Sequence, residues 1–481
     1  MTKKVCAPCL IALLSAVCLT STASAQTSWW RTYGGAHADG SYSIQQTTDG
    51  GYIIAAHACS FGAGGEDVYL IKANASGDTL WTRTYGGSNE DGFGGSSVQQ
   101  TTDGGYIVAS NTHSFGAGNG EVYLIKTNAQ GDTLWTRTYG GTSVDEGFSV
   151  QQTTDGGYIV TGCTYSFGPG TPGGYANVYL IKTNASGDTL WTRTYGGTGD
   201  DGGKSVLQTG DTGYVITGFT EGNDVYLIKT NAQGDTLWTR TYGGTRLDGA
   251  GSVQLTSDGG YIIAGWTLSF GAGSMDVYLI KTNSSGDTLW TRTYGGTNGE
   301  YGYSVQQTGD GGYVITGSTE SFGAGTPGRY NVYLIKTSAS GDTLWTRTYG
   351  GTSDDWGYSV QPTTDGGYIV AGYACSFGAG GADVYLIKTD SNGNVGIEEP
   401  LTRHPANPAR LLAQPSPFTS IAQVSGHETE FFVLSDVTGR QVAVCKGDRV
   451  GEGLRPGVYF LSPVGLRAGT AATATIVKTA F

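Results

Sequence analysis

The sequence predicts an all-β chain whose main part is a seven-bladed β-propeller, and three observations carry that prediction. The string WTRTYGG first occurs as WRTYGG at Trp30. It returns inside DTLWTRTYGG at Trp81, Trp135, Trp191, Trp238, Trp290 and Trp345, at intervals of 47 to 56 residues. Self-similarity at about 50 residues, rich in short apolar strands, marks a propeller; the rungs of a linear β-solenoid are shorter. The string VYLIK occurs seven times (68–72, 122–126, 178–182, 225–229, 277–281, 332–336, 384–388) and is apolar on both faces, so its sheet must be covered on both sides, as in radially stacked blades. The two series are offset: the chain meets a Trp strand first and ends its repeats on VYLIK. Seven four-stranded blades therefore close only if the N-terminal strand becomes the outer strand of the last one.

Composition agrees. Glycine makes up 82 of 481 residues, with 11% aromatic and 14% charged residues. Glycine has no three-residue period, which excludes collagen, and every repeat carries enough apolar residues to exclude disorder.

Taken in order, residues 1–25 have the form of a secretory signal: Lys3 and Lys4, an apolar run to Leu19, and Ala23-Ser24-Ala25 before Gln26. No later stretch approaches the roughly 18 consecutive apolar residues of a membrane span. After cleavage Cys59, Cys163, Cys375 and Cys445 remain, too sparse for a disulfide framework. Matching strands of adjacent blades lie about 10 Å apart, beyond disulfide reach for Cys59 and Cys375, so the four read as buried thiols.

In the first repeat the strand candidates are 43–47, 51–56, 67–72 and 78–85. Asp49-Gly50 and its copies join the first two, a strong hairpin signal. Asn74-Ala75-Ser76-Gly77 joins the last two. Fourteen Lys and Arg recur once per repeat beside Asp78, Asp132, Asp188, Asp235, Asp287 and Asp342, which reads as structural pairing; within 26–390 only Lys204, Arg246 and Arg329 fall outside the pattern. With a formal net charge of −13 and no basic stripe, nucleic-acid binding is set aside.

Repetition marks scaffold, and departure from it marks candidate function, because binding is commonly placed on loops held by a rigid frame. The loop between second and third strands usually reads SFGAG. The fourth repeat lacks it, and the third and sixth extend it with TPGGY (171–175) and TPGRY (326–330). Trp266, Trp356, Tyr165, Tyr301 and Tyr373 fall in or beside these loops. With Tyr175, Tyr330 and Arg329 they form the candidate ligand-binding set, offering flat apolar faces for sugar rings near hydroxyl acceptors. The recurrent acids Asp39, Asp91, Asp145, Asp201, Asp248, Glu300 and Asp355 read as turn-closing side chains rather than a cation ring. No nucleophile elbow, phosphate loop or metal-ligand spacing appears, so no catalytic residue, metal or cofactor is assigned.

From Asp390 the repeat stops; 391–410, with Pro400, Pro405 and Pro408, reads as a linker. Strand candidates 421–424, 430–437, 441–445, 457–462 and 473–478 then form a second unit, 411–481. Ser416-Pro417-Phe418, the run Ser435-Asp436-Val437-Thr438-Gly439-Arg440, Gly457-Val458-Tyr459-Phe460 and Thr475-Ile476-Val477-Lys478 resemble the type A C-terminal sorting domain of type IX secretion substrates. That resemblance implies a small β-sandwich that engages bacterial secretion machinery, and a propeller that is its cargo, released or held at the outer-membrane surface. The repeat string VYLIKTNxxGDTLW is similar to the third and fourth strands of quinoprotein-type propeller blades. The expected function is non-enzymatic binding of a polysaccharide or surface protein through the variable loop face. An extracellular polysaccharide hydrolase or lyase using acidic residues of that face is the alternative.

Overall fold

The computed structural model describes residues 28–171, 174–222, 224–325 and 328–396, and the strands of the C-terminal region. The signal segment with its Ala25–Gln26 junction lies outside the described residues, as do Pro172, Gly173, Thr326, Pro327 and most of the expected linker.

Among the described residues there is no helix. Residues up to Gly396 contain seven antiparallel four-stranded sheets. Blade 1 comprises Asp39–Gln46, Tyr52–Ala58, Asp67–Ala73 and Thr79–Tyr85, and blades 2 to 6 repeat this order. Blade 7 takes Asp355–Pro362, Tyr368–Ala374 and Asp383–Thr389, and its outer strand is Trp29–Tyr33 from the N-terminus. The first strands touch one another around the whole ring and are therefore innermost.

The register corrects one reading of the sequence. Trp29, not Trp30, pairs with Lys388, just as Trp81 pairs with Lys72. Trp30 occupies the site that is Thr82 in blade 1, and packs instead on Phe377 with ring centroids 5.2 Å apart. The inner strands also start about four residues earlier than expected. Their glycine-rich first half has the composition of a loop, yet it pairs with the second strand through a β-bulge.

The WxRxY face of each outer strand grips the next blade. Trp81 lies 5.9 Å from the Tyr106 ring, and Tyr85 donates its hydroxyl to the Gly131 carbonyl at 2.6 Å. Gly131 has φ +79, and a Cβ there would stand 2.7 Å from the Trp81 ring, so this turn position requires glycine. Arg83 stacks over Trp81 at 5.6 Å and reaches Asp132 of the next blade at 3.3 Å. Trp29 grips blade 1 the same way, with Tyr52 at 5.9 Å.

The repeated lysines pair elsewhere. Lys72 is buried and bonds Asp49 of the first hairpin at 2.9 Å, and its copies follow, so the Asp78 series serves the arginines and not the lysines. The SVQQ strands stitch the inner ring: Ser97 Oγ accepts from the Val150 N–H at 3.2 Å and Gln99 Oε1 from the Gln152 N–H at 2.6 Å. Inner strands at the sheet edge thus obtain partners for backbone N–H groups that would otherwise go unpaired.

Blade 4 departs at its first hairpin. Six blades place glycine at φ +80 to +85 after the turn Asp, whereas blade 4 holds Thr212 there at φ 65. A β-branched residue in the left-handed region costs about 1 kcal/mol or more. Thr212→Gly is expected to stabilise the chain by about 1 kcal/mol, and an unchanged or lower denaturant midpoint contradicts this strain.

Asp390–Asn394 still forms a blade turn, with Gly393 beneath Trp345 and its carbonyl bonded by Tyr349 at 2.6 Å. The expected linker therefore begins after this turn. The second unit spans residues from Ile397 and contains two sheets: Ala413–Gln414 with Gln423–Val424, and an antiparallel sheet in the order Gln441–Lys446, Phe431–Ser435, Gly457–Pro463, Ala474–Lys478. The motif pieces 416–418 and 436–440 lie outside the described residues. No helix among the described residues is long and apolar enough to cross a membrane. Cys59, Cys163 and Cys375 form no disulfide; Cys163 is buried, but Cys59 and Cys375 are exposed, contrary to the expectation of buried thiols, because they stand where the second strand gives way to its loop.

Candidate functional site

Two positions on each blade decide what lines the mouth of the central channel. The first is the bulge residue of the inner strand: Tyr42, Phe148, Lys204, Gly251, Tyr303 and Tyr358 in blades 1, 3, 4, 5, 6 and 7. Blade 2 has no such bulge; Gly92, Gly94 and Gly95 take positive φ in its place. The second is a cross-strand pair nearer the loops: Gly40 with His57, Glu146 with Cys163, Gly202 with Phe219, Gly249 with Trp266, Tyr301 with Ser318 and Trp356 with Tyr373. Glycine makes room for its partner's ring: a Cβ on Gly249 would come within 2.6 Å of Trp266, and one on Gly40 within 2.8 Å of His57.

These choices gather aromatic side chains on one side of the ring. Trp266 lies 6.1 Å from Tyr301, and Tyr301 stacks on Tyr303 at 6.0 Å with planes 2° apart. Tyr330 packs on Trp356 at 4.5 Å, and Trp356 is nearly coplanar with Tyr358, at 13° and 6.2 Å. Tyr303 meets Tyr358 at 4.8 Å; Tyr373 and Tyr42 extend the row at 5.9 and 5.2 Å from Tyr358. All of these rings are partly exposed. A contiguous aromatic wall therefore runs from blade 5 through blades 6 and 7 to blade 1.

The wall is polar at its edges but uncharged. Burial holds the Tyr303 and Tyr358 phenols far above their ordinary range, and pushes Tyr330 and Tyr373 up to about 12, so all four remain hydroxyl donors at any physiological pH. Burial also lowers His57 to about 4, and its Nε2 lies 3.5 Å from Glu66, which burial and the nearby Glu90 charge raise to about 7. Flat rings flanked by neutral donors can stack on pyranose faces and bond their hydroxyls.

Of the expected ligand-binding residues, Trp266, Tyr301, Tyr330 and Trp356 fall within this wall. Arg329 pairs with Asp354 at 2.8 Å on the blade 6 rim, beside Asn298 and Glu320. Tyr165 stands apart, in a cleft of about 430 Å3 between blades 2 and 3 lined with Asn119, Ser143, Val144 and Glu146. Tyr175 is half exposed on the extended loop of blade 3. Tyr42, Phe148, Lys204, Tyr303 and Tyr358 went unnoticed because the search for variation stopped at the loops. Aligning the repeats on SVQQ shows them: the residue just before that motif is Tyr, Ser, Phe, Lys, Gly, Tyr and Tyr in blades 1 to 7, while the serine after it never changes.

The recurrent acids close loops, as their spacing suggests. Asp91 Oδ2 accepts from the Gly87 N–H at 2.7 Å and the Ser114 hydroxyl at 2.6 Å, tying together the two loops of its blade. Among the described residues no three His, Cys, Asp or Glu are grouped to hold a metal ion.

The architecture is thus a seven-bladed β-propeller with the N-terminal strand completing the last blade, a fold consistent with a binding scaffold. No family model matches the sequence, and no curated protein does. Among solved structures the chain is similar to the Pan2 WD40 domain of Neurospora crassa at 8% identity (TM-score 0.43, covering 77% of this chain and 97% of that one). It is also similar to a protein of unknown function from Dyadobacter fermentans at 11% identity (TM-score 0.40, 75% and 98%). A third similarity is to the extracellular domain of the putative hybrid two-component system BT3049 from B. thetaiotaomicron at 10% identity (TM-score 0.36, 91% and 68%).

Proposed function

We propose that the chain is a secreted, non-enzymatic propeller that binds glycans through the aromatic wall at the mouth of its channel. The observation that carries this reading is the unbroken row of partly exposed rings from Trp266 to Tyr42, built where the repeats differ. A frame residue has no reason to vary between blades, and a packing residue would not need an exposed face in four consecutive ones. The N-terminal signal and the sorting-domain resemblance of residues 411–481 support export by a type IX-like route, with release or retention at a bacterial cell surface; N-terminal sequencing of exported protein starting at Gln26 tests the cleavage.

Affinity electrophoresis of the mature chain through gels containing a panel of polysaccharides tests the binding. Retardation by at least one glycan is expected, and unchanged migration in every gel contradicts the reading. One observation favours the hydrolytic alternative: Glu66 keeps its proton up to about pH 7 beside the wall, as a general acid must, with the Glu90 carboxylate nearby. Reducing ends released from the retarding polysaccharide, and lost in Glu66→Gln, would assign the chain to that class instead.

A further inference from the structure

The wall occupies one side of the channel, and the other side carries a different chemistry. In a closed ring of seven, blade 4 stands three blades from both blade 7 and blade 1, facing the boundary where Tyr358 and Tyr42 meet. Its bulge residue is Lys204, at the position held by tyrosine in blades 1, 6 and 7. The ammonium rests 3.5 Å above the Phe148 ring of blade 3 and 6.0 Å from Phe219.

Lys204 differs from the fourteen repeated cations and from Arg329. The repeated lysines bond hairpin aspartates, the repeated arginines stack on tryptophans, and Arg329 has Asp354. Lys204 has no carboxylate within ion-pair distance among the described residues and is partly exposed. An aromatic face orients an ammonium without neutralising it, so its charge remains available to a ligand. Blade 4 is also the blade without the SFGAG loop.

Resting on the glycan-binding reading above, we infer that the ligand is an acidic polysaccharide, its sugar rings lying on the wall of blades 5 to 1 and a carboxylate or sulfate substituent engaging Lys204. A positive group on the inner strand of blade 4, in a chain of formal net charge −13, acts as a selector, since an anionic ligand that misses it meets net repulsion.

Binding of the mature chain to polygalacturonate, to a sulfated galactan and to neutral galactan, measured by isothermal titration at 50 and 300 mM salt, tests the inference. At least one anionic polymer should bind about tenfold or more tighter than neutral galactan, and that advantage should shrink with salt. Whether polygalacturonate or sulfated galactan leads tells carboxylate from sulfate. Lys204→Gln should bring the ratio close to one, Lys204→Arg should preserve it, and Arg246→Gln, a cation on an outer loop, should not change it. An undiminished ratio in Lys204→Gln, or neutral galactan binding as tightly as both anionic polymers, overturns the inference while the glycan reading stands. Failure of all three polymers to bind overturns the inference, and the glycan reading falls with it only if every polysaccharide of the electrophoresis panel also leaves migration unchanged.

Discussion

Trp29→Ala is expected to cost about 3–5 kcal/mol, whereas Trp30→Thr, which installs the residue found at that site in the other blades, should cost about 1 kcal/mol or less. Trp29 is 4% exposed; it closes over the Tyr52 ring and the Gly77 turn of blade 1 and donates its Nε1–H to the Ala75 carbonyl at 3.2 Å. Trp30 is only partly buried, against Phe377 and Tyr385. Deleting residues 26–34 should cost more than either, because the third strand Asp383–Thr389 then presents an unpaired edge and blade 1 loses its neighbour's grip. Thermal unfolding of the three variants decides the matter. A Trp30→Thr variant damaged as badly as Trp29→Ala would mean that the register of the closing strand is shifted by one residue.

The second large effect is on pH dependence. At five of the seven junctions two acids, all buried except the half-buried Asp224, face each other across a glycine. At Gly295, a Cβ would stand 1.9 Å from Asp276 Oδ1 and 2.5 Å from Glu300 Oε2; at Gly34, 1.9 Å from Asp383 and 2.8 Å from Asp39. The strand-three member of each pair, Asp67, Glu121, Asp224, Asp276 or Asp383, is pushed above the usual carboxylate range, by burial first and by the facing acid second, and Asp383 reaches about 6. A group raised in the folded state contributes stability that is complete below its unfolded value and is lost as pH rises through the folded one. The hairpin acids behave oppositely. Burial alone would raise Asp49, but hydrogen bonds from Thr47, Lys72 and the Gly51 N–H outweigh it and bring it to about 2, as at Asp103, Asp155, Asp211, Asp258 and Asp310. Their contribution is present above the unfolded value near 4 and fades as pH falls towards 2. Together the two series place the maximum near pH 4, with stability falling as pH drops towards about 2 and as it rises through about 6.

The chain itself supplies the test of this pairing. Blades 3 and 6 carry Asn177 and Asn331 where the other five have an acid, facing Asp201 and Asp355. Asp276→Asn should copy them, removing one buried charge beside Glu300; in blade 3 the Asn177 amide donates to the Pro169 carbonyl at 3.0 Å. A gain on the order of 1–2 kcal/mol is expected at pH 8, and little or none at pH 5. Equal destabilisation at both pH values would show that the facing charge does not raise Asp276.

The frame was legible because its parts recur, WxRxY and VYLIK seven times and the Asp-Gly turn six. WxRxY, VYLIK and the Asp-Gly turns are fixed by contacts every blade must make, so counting them gave the blade number, the strand order and the closure. What resisted reading was side-chain partnership between blades. The pairing of Arg83 with Asp132, or of Gln99 with the Gln152 backbone, joins residues about 50 positions apart, and local pattern does not reveal such partners. The wall was half legible. Trp266, Tyr301, Tyr330 and Trp356 lie where the loops vary, but Tyr42, Tyr303 and Tyr358 sit inside a strand, hidden by a bulge that sequence periodicity cannot place. Tyr165 and Tyr175 looked equivalent to them by residue type alone, and only the order of blades around the ring sets them apart.

The central claim is that repeated residues build the frame and the dissimilar ones on blades 5 to 1 bind the ligand. It is tested most directly by titrating the tightest-binding glycan of the panel into wild type, Trp356→Leu and Leu190→Ala. Trp356→Leu keeps an apolar side chain of useful size but removes the ring that joins Tyr330, Tyr358 and Tyr373. Leu190 is 56% exposed on a repeated outer strand. The account predicts about tenfold or greater weakening in Trp356→Leu, with an unchanged melting profile, and affinity within twofold of wild type in Leu190→Ala. Full affinity in Trp356→Leu, or a loss in Leu190→Ala as large as in Trp356→Leu, would contradict it.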